Sequence, residues 1–173
     1  MNTRYDIGLA RPADVPRLAA IELAAAQLLR GHAPEDVLAE ATSEEDLQAA
    51  RRDDCLWVAL AADVPVGFAH VKLLEPNVAH LNELDVHPDH GRQGLGTRLV
   101  NAVGAWAWGR GYESVTLSTF RDVPWNMPFY ARLGFVEVPV GTLTPALKAV
   151  VADEVRRGLD PERRVVMRWQ RRA

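Results

Sequence analysis

The segment Leu84-Asp85-Val86-His87-Pro88-Asp89-His90-Gly91-Arg92-Gln93-Gly94-Leu95-Gly96-Thr97 constrains this chain more than any other stretch. It reads as a strand that enters a glycine-rich turn and passes directly into a helix. Leu95, Leu99, Val103 and Trp106 recur at three- and four-residue spacing, which puts them on one helical face. A helix start presents backbone N–H groups without intrahelical partners at the positive end of its dipole, and so favours an anion. Gly94 and Gly96 carry no Cβ, which lets a phosphate approach the main chain. The pattern predicts a pyrophosphate cradle; a tight turn using glycine for conformation alone is the competing reading.

Spacing excludes two kinds of phosphate binder. A P-loop needs a Lys and then Ser or Thr after its second glycine, and here Gly96 is followed by Thr97-Arg98. A dinucleotide fingerprint needs a third glycine where Leu99 stands.

With 173 residues, 48% of them hydrophobic, the chain can build one well-packed domain, expected to span 1–173. A net charge of −3 argues against a dedicated nucleic-acid binder. The basic tail Arg163, Arg164, Arg168, Arg171 and Arg172 has little aromatic interleaving and reads as a solvated strand end. Cys55 is the only cysteine and begins an apolar run, so a buried thiol in a reducing compartment is expected. Neither a signal region at the first residues nor an apolar run of membrane-spanning length is present. These features predict a cytoplasmic protein with neither nucleic acid nor membrane as partner.

Along the chain, 5–10 reads as a strand. Asp14 is a candidate cap for a helix carrying Val15, Leu18, Ile21, Leu28 and Leu29 and stopped by Gly31. One or two helices follow over 34–52, with Ser43 as a second cap. Strands are predicted over 56–60, 66–74 and 79–86, then the long helix to Gly109, then a strand over 114–120. A short helix over 127–133, a strand over 135–140, a helix over 145–157 and a strand over 164–170 complete the pattern. The composite predicts an α+β fold with a mixed sheet.

The strand–Gly94-Leu95-Gly96–helix–strand unit is followed by Asn126-Met127-Pro128-Phe129-Tyr130-Ala131-Arg132-Leu133-Gly134-Phe135. Together they resemble the GNAT family of acyl-CoA-dependent N-acetyltransferases, over most of the chain. The loop is similar to the family's Arg/Gln-x-x-Gly-x-Gly/Ala element, and the second segment to its Asn…Tyr-x-x-x-Gly-Phe element. The resemblance implies a single GNAT-like domain, a mixed central sheet of about seven strands flanked by helices. It also implies acetyl-CoA as cosubstrate, no metal, and an amine-bearing small molecule or peptide as acceptor. Homodimerisation is a further expectation from the resemblance alone. Gly91 stands where the family has Arg or Gln, with Arg92 and Gln93 beside it to compensate. Asn126 lies closer to Tyr130 than is usual, and 142–161 is longer than a simple final hairpin. In family terms the cofactor-binding residues are Leu84, Asp85 and Val86 through their backbone, the loop Gly91, Arg92, Gln93, Gly94, Leu95, Gly96 and Thr97, and Asn126. Leu84–Val86 would pair with pantetheine as an added strand pairs with a sheet edge, and the Val86 amide would polarise the thioester carbonyl.

Acetyl transfer needs a neutral amine, a polarised thioester and a proton for the departing thiolate. An alkyl amine of pKa about 10.4 has roughly 1 molecule in 2,500 neutral at pH 7, a cost of about 4.6 kcal/mol, whereas an α-amine near 8 costs about 1.4 kcal/mol. A base is therefore worth more for alkyl amines. Tyr130 resembles the family tyrosine that protonates the thiolate; its alternative is an aromatic core residue. For the base, strand alternation puts His80, Asn82, Leu84 and Val86 on one face, with His80 where one family branch has a strand histidine. A bulge in this strand would reverse the faces and favour Glu83. Asp85 suits the base role less, since a carboxylate repels a phosphate. His87, Asp89 and His90 flank Pro88 in a turn, which is poor metal-ligand geometry, so no metal site is expected. Glu35, Asp36, Glu40, Glu44, Glu45 and Asp46 either attract a cationic amine or form a solvated helix face. Against the N-acetyltransferase stands one alternative, a catalytically weak acyl-CoA-binding or sensor domain.

Overall fold

The computed structural model describes residues 4–171. Its centre is a seven-stranded sheet in the order β1-β2-β3-β4-β5-β7-β6. β1 (Tyr5–Leu9), β2 (Leu56–Ala61), β3 (Val64–Glu75) and β4 (Val78–Val86) pair antiparallel in succession. β5 (Ser114–Phe120) runs parallel to β4, and the crossover that a parallel pair requires is supplied by α4 (Leu95–Gly109). β7 (Arg164–Gln170) inserts antiparallel between β5 and β6 (Val136–Glu137).

The helices before β2 are α1 (Leu18–Ala26), α2 (Glu35–Leu38) and α3 (Glu44–Arg52); α5 (Met127–Arg132) and α6 (Pro145–Arg156) follow β5 and β6. α4 buries Leu95, Leu99, Val100, Val103 and Ala107 in the main core, to which Leu18 and Ile21 of α1 and Leu47 of α3 also belong. Trp169 of β7 lies against Gly104 of α4, whereas Ser118 and Arg164 bond to Glu154 of α6. Because strand side chains alternate, α4 and α6 cover opposite faces of β5 and β7.

Two local expectations are revised, and the Ser43 cap is met. Asp14 does not cap a helix; its carboxylate is taken by Arg11, whose Nη2 donates at 2.8 Å and whose backbone N–H donates at 2.8 Å. The stretch 34–52 divides because Ser43 caps α3, accepting from the Asp46 N–H at 3.1 Å. The strand expected over 135–140 shortens to Val136–Glu137, since Pro139 has no N–H for a ladder and a 3-10 turn, Val140–Thr142, follows it.

Two features of β4 shape the cleft. Its register to β3 runs His70↔Glu83 and then Val71↔Leu81, so Asn82 is an extra residue, a bulge. The simple alternation that grouped His80 with Leu84 and Val86 therefore breaks. Leu84 and Val86 instead join Ala79 and Leu81 in the core cluster, and Glu83 and Asp85 share the face of His80. The second feature is a splay. β4 and β5 pair only at Val78↔Ser114, Ala79↔Val115 and His80↔Thr116, and then diverge.

Candidate active site

The splay leaves the β5-facing edge of β4 beyond His80 without a strand partner. His87 N–H donates to Val66 C=O at 2.8 Å, which fixes the alternation of the β3–β4 ladder. Hydrogen-bonded pairs alternate with non-bonded ones in an antiparallel ladder, so the peptide groups of Leu84 and Val86 turn away from β3, into the gap toward β5. His80 marks the apex of the gap. It is 3% exposed and its Nδ1 lies 3.0 Å from Thr116 Oγ1, the last paired residue of β5. Burial, with the Lys72 charge nearby, pushes its imidazole down to about 4.

At the far end of β4 the chain makes a 3-10 turn, Pro88–His90, and reaches α4 through Gly91, Arg92, Gln93 and Gly94. Gly94 takes the N-cap position with φ +72, a left-handed conformation that favours glycine, and no side chain caps the helix. Leu95, Gly96 and Thr97 thus begin α4 with N–H groups that have no intrahelical acceptor. A Cβ at Gly96 would sit 3.3 Å from Phe129 Cζ, so α5 closes on this helix start where only glycine fits without displacement. Arg92 also has a positive φ, +56, in an exposed position. Unpartnered N–H groups at an uncapped helix start are the chemistry that suits an anion.

Tyr130 and Asn126 enter from the β5 side. Asn126 is the N-cap residue of α5, and Tyr130 packs edge-on against Phe129 and Phe135 with ring centroids 5.0 and 5.6 Å away. Burial, followed by the Asp85 and Glu83 carboxyls, raises the Tyr130 phenol above its ordinary range, so it is a protonated donor at neutral pH. Burial, with Glu22 of α1 next, pushes Glu83 up to about 8, while Arg157, Lys72 and Arg164 offset part of the rise. Burial, Glu83 and Glu22 together hold Asp85 well above the usual carboxylate range. Tyr130, Glu83 and Asp85 therefore share one electrostatic neighbourhood, and His80 is withdrawn into the sheet.

Glu22 went unnoticed in the sequence. Its signal was legible: a carboxylate four residues after Leu18 and next to Ile21, on the buried stripe of α1. It is held by Thr42, whose N–H donates at 2.8 Å and whose hydroxyl donates at 3.2 Å. The acidic run considered as an acceptor wall is solvated instead: Glu35, Asp36, Glu40, Glu44, Glu45 and Asp46 are all exposed, and Glu40 pairs with Arg157 at 2.6 Å.

The sequence matches the model of the acetyltransferase (GNAT) family over residues 20–135. The chain belongs to that family, whose members are acyltransferases. Solved structures reproduce the fold. A PaiA N-acetyltransferase from Thermoplasma acidophilum in complex with coenzyme A superposes with a TM-score of 0.76 at 16% identity, covering 97% of this chain and 99% of that one. The ribosomal-protein-S18-alanine N-acetyltransferase from Escherichia coli gives 0.67 at 20% identity, covering 96% and 94%. A GNAT-family acetyltransferase from Staphylococcus aureus gives 0.73 at 15% identity, covering 96% and 99%.

Proposed function

We propose that this chain transfers an acetyl group from acetyl-CoA to a primary amine by direct attack in a ternary complex. The observation that carries the reading is the cleft: β4–β5 pairing stops at His80–Thr116, and the Leu84 and Val86 peptide groups turn into the gap. The diphosphate takes the N–H groups at the start of α4, with Gly91, Arg92, Gln93, Gly94, Leu95, Gly96 and Thr97 around it. Pantetheine lies in the gap as an added strand along Leu84, Asp85 and Val86, with Asn126 on its other side. The Val86 N–H polarises the thioester carbonyl, and Tyr130 gives its proton to the departing thiolate.

Glu83 is the base in this scheme, and magnitudes decide against His80. Moving a proton from an alkylammonium of pKa about 10.4 to a group near 8 costs about 3 kcal/mol. The same transfer to an imidazole near 4 costs about 9 kcal/mol. The test is release of free CoA thiol from acetyl-CoA across a panel of primary amines. Amine-dependent thiol release supports the reading; acetyl-CoA binding without thiol release for any amine makes the chain an acyl-CoA-binding domain.

A further inference from the structure

Asp85 Oδ2 is buried and accepts no hydrogen bond. A buried carboxyl oxygen without a donor is expensive in its ionised form, and native structures rarely leave one without a functional reason. The surroundings supply no internal cation. Among the described residues, no cation lies within ion-pair distance of Glu22, Glu83 or Asp85. The guanidiniums that reach toward this cluster are already engaged: Arg157 with Glu40 at 2.6 Å, and Arg164 with Glu154 at 2.7 Å. Glu22 has its two Thr42 donors, whereas Glu83 and Asp85 have no side-chain donor among the described residues, and Asp85 Oδ2 is the buried orphan oxygen of the three.

The bulge at Asn82 turns Asp85 and Glu83 together onto the face of His80, beside the gap and within the electrostatic reach of Tyr130. We infer that Asp85 selects the acceptor: its carboxyl receives the amine as an ammonium ion, so the substrates are amines that arrive charged, such as basic aliphatic amines, rather than arylamines. This inference rests on the acetyl-transfer reading of the same cleft. Binding exchanges one proton for one cation, because the protonated Asp85 carboxyl loses its proton to solvent as the ammonium arrives. The charged and titratable groups that set this exchange are Glu83 on the same strand, Glu22 from α1, Lys72 from β3, Arg164 from β7, Arg157 following α6 and Tyr130 from α5.

The test is calorimetry on the CoA-loaded protein with n-butylamine, 1-butanol and aniline, run in two buffers of different protonation enthalpy. We expect butylamine to bind with release of about one proton, and 1-butanol to bind roughly tenfold more weakly or worse, as the loss of a charged hydrogen bond implies. Asp85→Asn should weaken butylamine by a similar factor and abolish the proton release. Equal affinity for butylamine in Asp85→Asn, binding without proton release, or tighter binding of 1-butanol or aniline each overturns the inference. If Asp85→Asn does not fold, the proton count and ligand ranking of the unaltered protein still decide it. Failure of CoA itself to bind overturns the acetyl-transfer reading instead, and butylamine binding to the free protein then judges Asp85 separately.

Discussion

Replacing Glu83 with Gln tests whether a functional carboxyl is kept at the expense of stability. The Glu83 carboxyl is raised from 4.5 to about 8, chiefly by burial and then by Glu22. A group whose pKa is raised by folding contributes stability that is fully present below the unfolded value and is lost as pH rises through the folded one. The loss for Glu83 therefore develops between about pH 4.5 and 8. At 1.36 kcal/mol per pKa unit, a rise of about 3.5 units corresponds to about 5 kcal/mol at most. Relaxation and the electrostatic link to Glu22 reduce this upper bound. Gln cannot ionise, so Glu83→Gln should gain on the wild type as pH increases. The relative gain from pH 5 to pH 9 is about 2 to 4 kcal/mol, or of order 10 °C in Tm for a chain of this size. Thermal unfolding followed by circular dichroism at pH 5, 7 and 9 measures it. Parallel Tm profiles for the two proteins would show that Glu83 titrates normally, and the base assignment would lose its physical support.

Wild-type kcat/KM should climb with pH toward a plateau above about 8, and Glu83→Gln should lack that limb; an unchanged limb removes Glu83 as the base. Tyr130→Phe should lower kcat by about 10²- to 10⁴-fold with unaltered CoA affinity in titration calorimetry, as expected for loss of a general acid; wild-type turnover removes the phenol from the chemistry. Gly104→Ala would drive a Cβ into the Trp169 indole and should cost about 1 to 3 kcal/mol in denaturant unfolding, with a shifted tryptophan emission. Glu154→Ala strips the partner from the 87%-buried Arg164 side chain and should cost about 3 to 5 kcal/mol; a neutral result means that water reaches Arg164 freely.

The backbone of this fold was readable because its signals are local. Periodic leucines define α4, Gly94 ends the preceding turn, Ser43 caps α3, and β-branched residues define β5. The exposed helix start proposed as the anion site was readable for the same reason, since a glycine turn before an amphipathic helix is written in local sequence. The side chains of β4 were not. Which face His80, Glu83 and Asp85 take depends on one extra residue, Asn82, and that bulge is set by pairing with β3 rather than by any residue within β4. Strand alternation alone consequently groups the wrong residues. Glu22 is a second non-local case: it lies far from Glu83 in sequence, and only the packing of α1 on β4 brings the two charges together. The Arg157–Glu40 pair joins the end of α6 to the segment before α3 by the same kind of long-range contact.

The central claim is that the backbone of residues 91–97 and the free edge of β4 hold coenzyme A. Amide chemical shifts recorded during a titration with CoA test it most directly. The account predicts saturable shifts concentrated at Gly94, Leu95, Gly96 and Thr97 for the diphosphate and at Leu84 and Val86 for pantetheine, with the diphosphate contribution weakening as salt is raised. Saturable binding that leaves those six amides unmoved, or no binding at all, would contradict it.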